Sequence, residues 1–145
     1  MNNTMDRRQM LKVTGATLAG SSLLGVPAFG EDSTPETKHT KKALIIGAHP
    51  DDPETGCGGT MILLKQAGYE VVSVYMTKGE GGIVGKTPDE AAAIRVKEGE
   101  KASAVLGARP IFMTQIDGNT EINKARYVEM RELIATEKPD VVFTH

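Results

Sequence analysis

His49-Pro50-Asp51-Asp52-Pro53-Glu54 places one imidazole and three carboxylates within six residues, directly behind the apolar run Ala43-Leu44-Ile45-Ile46. These are the side chains of a metal-assisted hydrolase: imidazole suits zinc, and carboxylates either ligate the ion or take a proton from its bound water. Turn and helix-start preferences account for any one of these residues taken alone. They do not account for an imidazole beside two adjacent like charges, which repel one another unless a cation lies between them.

Three further segments carry polar groups behind apolar runs. Thr77-Lys78-Gly79-Glu80-Gly81-Gly82 and Asp117-Gly118 each follow such a run, and His145 holds the same place after the last one. Gly56-Cys57-Gly58-Gly59 is glycine-rich enough for its backbone to approach a neighbour or an anionic group, but Met61 stands where a dinucleotide-binding loop needs its third glycine. In the stretch 88–106, Ala91, Ile94, Ala102 and Val105 read as an apolar helix stripe interrupted by Glu98, with Arg95 three residues earlier. A charged pair within such a stripe predicts that one end of the helix faces a polar cleft.

The elements that must position these groups alternate along the chain. Apolar runs predict strands over 42–48, 70–76, 110–113 and 141–144, and longer stretches predict helices over 56–67, 88–106 and 120–137. Thr87-Pro88-Asp89-Glu90 marks a helix start, Gly68 and Gly107 mark helix ends, and Lys138-Pro139 closes the last helix. Such β-α alternation predicts an α/β fold, a Rossmann-like parallel sheet with right-handed crossovers and helices on both faces. Ligands of such sheets gather outside the carboxyl ends of the strands, where all the polar segments above fall. The pattern stops after its fourth strand with no helix to cover it, so the domain is expected to continue past His145.

The first 30 residues read as an address. Arg7-Arg8-Gln9-Met10-Leu11-Lys12 precedes the charge-free run 13–26, which at 14 residues is too short to span a bilayer, and Ala28-Phe29-Gly30 offers a small-x-small cleavage site. This resembles a twin-arginine signal, which predicts the Tat export machinery as a partner, a periplasmic or secreted protein, and no stable membrane span once the signal is removed. Residues 31–40 read as a polar linker, and 41–145 as the folded part. Without the signal, the 17 basic and 19 acidic residues fall to 14 and 18, a net charge of −4, which argues against a nucleic-acid partner. Cys57 is the only cysteine, so no intrachain disulfide can form.

Taken together, Ala48-His49-Pro50-Asp51-Asp52-Pro53-Glu54, Gly58-Gly59-Thr60, Thr77-x-Gly79-Glu80-x-Gly82 and Arg95-x-x-Glu98-x-x-x-Ala102-x-x-x-Leu106-Gly107 resemble, in this order, the LmbE or PIG-L family of zinc-dependent N-acetylglucosaminyl deacetylases. The resemblance implies that His49 and Asp52 bind zinc, or another divalent transition metal, and that Asp51 is the general base. It implies that Arg95 and Asp117 help hold the hydroxyls of an N-acetylated amino sugar. The family's third ligand is a His in a downstream His-Pro-Asp-His segment that nothing here matches, with His145 as a possible additional site residue. Two other readings stay open: a different secreted metal-dependent amidase, and a carbohydrate-binding module on the same fold without turnover.

Overall fold

A computed structural model describes residues 39–144, so the twin-arginine segment, most of the linker and His145 lie outside the described residues. The elements run β1 (Lys42–Gly47), α1 (Asp52–Gln66), β2 (Glu70–Tyr75), α2 (Pro88–Leu106), β3 (Arg109–Phe112), α3 (Lys124–Glu137) and β4 (Val141–Thr144). All strand pairs are parallel, in the order β3-β2-β1-β4. The expected α/β parallel sheet is therefore what forms.

The two central strands are buried along nearly their whole length, as continuous apolar runs in parallel sheets must be. Their period of two splits the core into two layers. Leu44, Ile46, Val72 and Val74 face α3 through Met130, Leu133 and Ile134. Ala43, Ile45 and Val71 face the opposite side, against Met61 and Leu64 of α1 and Leu106 of α2. Crossovers of one hand put α1 and α2 on one face while the chain moves from β1 to β3, and put α3 on the other face when it doubles back to β4.

Two helix starts differ from the sequence reading. Helix α1 begins at Asp52, a full turn before Gly56, because Pro53 can occupy the first turn and Asp52 and Glu54 suit its positive end. A Cβ added at Gly56, Gly58 or Gly59 would meet nothing within 4 Å, so these glycines serve no close approach among the described residues. Helix α3 begins at Lys124 rather than near Thr120. The Gln115 amide bonds the Glu121 backbone in both directions, at 2.8 and 3.0 Å, which holds the preceding residues in a closed loop, and Asn123 then caps the helix by accepting from Arg126 N at 3.1 Å. Helix α2 starts on the expected capping box of Thr87 and Glu90 and ends on Gly107 at φ 67°.

Candidate active site

The motif loop is pinned between β1 and α1. Gly47 closes β1, and a Cβ there would lie 2.5 Å from Asp52 Cβ and 2.7 Å from Pro53 Cδ, so the first turn of α1 can sit on the strand only because this residue has no side chain. Sequence reading passed over Gly47, although a glycine within a strand is the ordinary signal of a close backbone approach. Beyond it the loop folds back on itself: Asp52 Oδ2 accepts from His49 N at 2.7 Å, and Asp52 N donates to His49 O at 3.2 Å.

Asp51 takes φ 137° and ψ −23°, a region that L-residues rarely enter, and it makes no capping hydrogen bond although it precedes α1. Helix-start chemistry therefore does not explain this aspartate. Its Oδ2 accepts instead from Arg95 Nη2 at 2.7 Å, and the same guanidinium donates to Pro50 O and, through Nη1, to Glu98 Oε2 at 2.7 Å. Burial works to lower the Arg95 pKa, but the Asp51 and Glu98 carboxylates outweigh it and raise it above the ordinary value.

The stripe that brings Arg95 here is not the apolar one read from the sequence. Ile94 and Val105 are exposed, while Ala91, Gly99 and Ser103 are buried, so the inward line runs through 91, 95, 99 and 103. Small residues are needed because a Cβ at Gly99 would lie 3.3 Å from each of Phe112, Pro50 and Tyr75. The fully buried Tyr75 stacks on Phe112, donates to Glu54 Oε1 and lies 2.9 Å from Ser103 Oγ. Burial, with the Glu54 carboxylate beside it, pushes the Tyr75 phenol far above its usual range. Tyr75 thus ties β2, α1 and α2 together directly beneath the loop, and the sequence held no sign of it beyond an aromatic residue at a strand end.

His49 lies between two carboxylates. Its Nε2 is 3.0 Å from Asp117 Oδ1, and its Nδ1 is 3.3 Å from Asp52 Oδ2. Asp117 is itself held by the glycine-rich segment after β2: its Oδ2 accepts from Gly81 N at 3.1 Å, and its backbone N donates to Glu80 Oε2 at 3.1 Å. His49, Asp51, Gly79, Gly82, Arg95 and Asp117 together line a cleft of about 260 Å³ at the carboxyl rim. A larger, mainly apolar cavity of about 420 Å³ opens where the strand order reverses, between Phe143 of β4 and Pro53 and Cys57 of α1. His49, Asp51, Arg95 and Asp117 meet in the smaller one, while Asp52 lines the larger. His39 is taken up elsewhere, 3.3 Å from Asp140, and His145 is outside the described residues.

Among the described residues no three His, Cys, Asp or Glu side chains are placed to hold one ion. The reason is visible at His49: Asp52 and Asp117 face opposite ring nitrogens. The His49 and Asp52 pair still fits a zinc edge. Donors about 2.0–2.1 Å from a tetrahedral ion stand roughly 3.3–3.4 Å apart. The Nδ1 to Oδ2 separation of 3.3 Å matches that span and is long for a hydrogen bond.

The chain is thus a doubly wound parallel sheet of Rossmann-like class with His49, Asp51, Asp52, Asp117 and Arg95 gathered at its carboxyl rim. The model of the PIG-L family, GlcNAc-PI de-N-acetylase, matches residues 44–145, and the chain belongs to that family. It is 38% identical over 106 residues to the diacetylchitobiose deacetylase of Thermococcus kodakarensis, an overlap of 70% of this chain and 39% of that protein. The N,N'-diacetylchitobiose deacetylase of Pyrococcus horikoshii, solved with its inhibitor MPG, superposes with a TM-score of 0.68 at 33% identity over 77% of this chain and 43% of that one. A 4-carboxy-2-hydroxymuconate hydratase from Pseudomonas putida superposes with a TM-score of 0.67 at 24% identity, over 73% of this chain and 47% of that one, a likeness of fold alone. The chain spans between about a quarter and two fifths of the length of curated relatives that it matches.

Proposed function

We propose that the protein carrying this chain removes the acetyl group from an N-acetylglucosamine-type sugar by metal-assisted amide hydrolysis. The observation that supports this most is the 3.3 Å approach of His49 Nδ1 to Asp52 Oδ2 beside a cleft that Asp51 also lines. In this reading His49 and Asp52 hold a divalent ion, zinc by the nature of its N and O donors, with a further ligand sought outside the described residues, His145 included. Bound zinc supplies polarisation of the acetyl carbonyl and a bound water acidified to a pKa of about 7.

The chain's own groups do the rest. Arg95 occupies Asp51 Oδ2, which leaves Oδ1 to accept the proton of the attacking water and return it to the departing amine. A base so positioned contributes on the order of 10² to 10⁴ in rate. Arg95 and Asp117 border the same cleft, where they reach sugar hydroxyls while keeping their protein partners.

The two adjacent aspartates separate experimentally. In the full protein, Asp52→Ala should release zinc, whereas Asp51→Asn should retain zinc and substrate binding but lose kcat, because a carboxamide accepts no proton at neutral pH. Metal analysis and acetate release from an N-acetylglucosamine substrate decide it. Equal zinc loss in both variants rejects the division of roles, and substrate binding without acetate release by the wild type favours a binding module.

A further inference from the structure

The segment Thr77-Lys78-Gly79-Glu80-Gly81-Gly82 supplies no base and no ligand in the reading above, yet its backbone and Glu80 converge on Asp117. We infer that Asp117 is a positioning residue that holds the His49 proton on Nε2, and that Glu80 and Gly81 exist to hold Asp117 there. This rests on the metal reading only for its purpose; its content is the tautomer of one imidazole.

The argument is one of donors and acceptors. An ionised carboxylate only accepts, so the 3.0 Å contact between Asp117 Oδ1 and His49 Nε2 requires the ring to donate from Nε2. In the neutral ring, Nδ1 is then left with its lone pair directed towards Asp52 Oδ2, which already accepts from His49 N at 2.7 Å. A ring fixed in this way is ready to bind an ion through Nδ1, the arrangement in which a carboxylate behind a metal-binding imidazole sets its tautomer and orientation. Asp117 cannot turn away, because its second oxygen is tied to Gly81 N at 3.1 Å and its backbone N to Glu80 Oε2 at 3.1 Å. Glu80 Oε2 also accepts from Lys78 N at 3.2 Å, which closes the loop upon itself. Glycine at residue 81 leaves room for this contact: a Cβ there would lie 3.1 Å from Asp117 Oδ2, close enough to push the carboxylate by a few tenths of an ångström.

Asp117→Asn is the informative substitution. Its carboxamide can keep the Gly81 N–H only through its oxygen, which turns the NH₂ towards His49 Nε2 and drives the imidazole proton to Nδ1. The opposite flip sets NH₂ against the Gly81 N–H, donor against donor. The His49 ring nitrogens are assigned as the signals missing from a His49→Gln variant. Nitrogen NMR of the metal-free full protein, under alkaline conditions that keep an ordinary imidazole neutral, should report Nε2–H in the wild type and Nδ1–H in Asp117→Asn. Gly81→Ala, which displaces the carboxylate without removing it, should give a mixture, and it keeps the question open to test if Asp117→Asn does not fold. Zinc affinity, measured by competition with a chromophoric chelator, should fall about 10- to 100-fold in Asp117→Asn. The same tautomer in the wild type and both variants, or Nδ1–H in the wild type, overturns the inference. A tautomer switch in a wild-type protein that binds no zinc leaves it standing and removes the metal reading. Undiminished zinc with an unchanged tautomer does the reverse.

Discussion

Asp51 is the residue at which local preference and position disagree most. Its backbone at φ 137° is of the kind that costs a side-chain-bearing residue roughly 1–3 kcal/mol. The surrounding contacts enforce it: Pro50 packs against Gly99, and Arg95 grips both Pro50 O and the Asp51 carboxylate. Strain of this kind at a rim residue fits a side chain aimed by its loop rather than by helix capping. Two substitutions isolate the cost, since both remove the Arg95 contact equally. Asp51→Gly should be more stable than Asp51→Ala by about 1–3 kcal/mol in urea denaturation. Equal midpoints would show that the loop backbone relaxes and stores nothing.

At the rim opposite the cleft, three strands and a helix are tied together by charge. Lys42 of β1, Glu70 of β2, Arg109 of β3 and Glu137 at the end of α3 form a closed set of ion pairs, with Lys42 to Glu137 at 2.9 Å and Arg109 to Glu137 at 2.6 Å. A carboxylate at a helix C-terminus opposes the helix dipole, and the two cations offset that penalty. The Arg109 hydrogen bond holds both Glu137 and Glu70 below the usual carboxylate range, against the opposing effect of burial. A folded-state pKa below the unfolded one means stability that is present above the ordinary value of 4.5 and lost as pH falls through the lower folded value. Glu137→Gln should therefore unfold earlier than wild type at neutral pH, and the difference should close as the medium is acidified below about pH 4.5. A gap in denaturation midpoint that persists in acid would mean that packing of the Glu137 stem, rather than charge, anchors α3.

For the molecule as a whole, the family match and the N-terminal segment together describe an exported PIG-L-type protein, export being the proposed part. Among the described residues no helix is long and apolar enough to cross a membrane. Tat transport carries folded protein, which suits an enzyme that takes up its metal before leaving the cytoplasm. The proposal rests on Arg7-Arg8 and the short apolar run after them. Replacing both arginines by lysine should keep the protein in the cytoplasm, because lysine does not reproduce guanidinium geometry. Unchanged accumulation in the periplasm, followed by cell fractionation, would reject the twin-arginine assignment.

Much of this was legible in residue order. Strand β4 falls on the expected residues, and the other three strands lie within a residue of the expected ends, because buried parallel strands are short apolar runs that little else imitates. Capping residues announced α2 and the ends of all three helices, since capping is satisfied within a few residues of chain. The cluster His49, Asp51, Asp52 stood out by composition alone. What tertiary structure decided is which side chains meet. Arg95 reaches Asp51 from 44 residues away, and Asp117 reaches His49 from 68. Neither period, 2 or 3.6, carries information about such pairs. They exist because the strand order places the rims of β1, β2 and β3 side by side, because Gly47 lets the first turn of α1 sit at a distance that a Cβ would forbid, and because Gly81 and Gly99 leave room where a Cβ would crowd its neighbours.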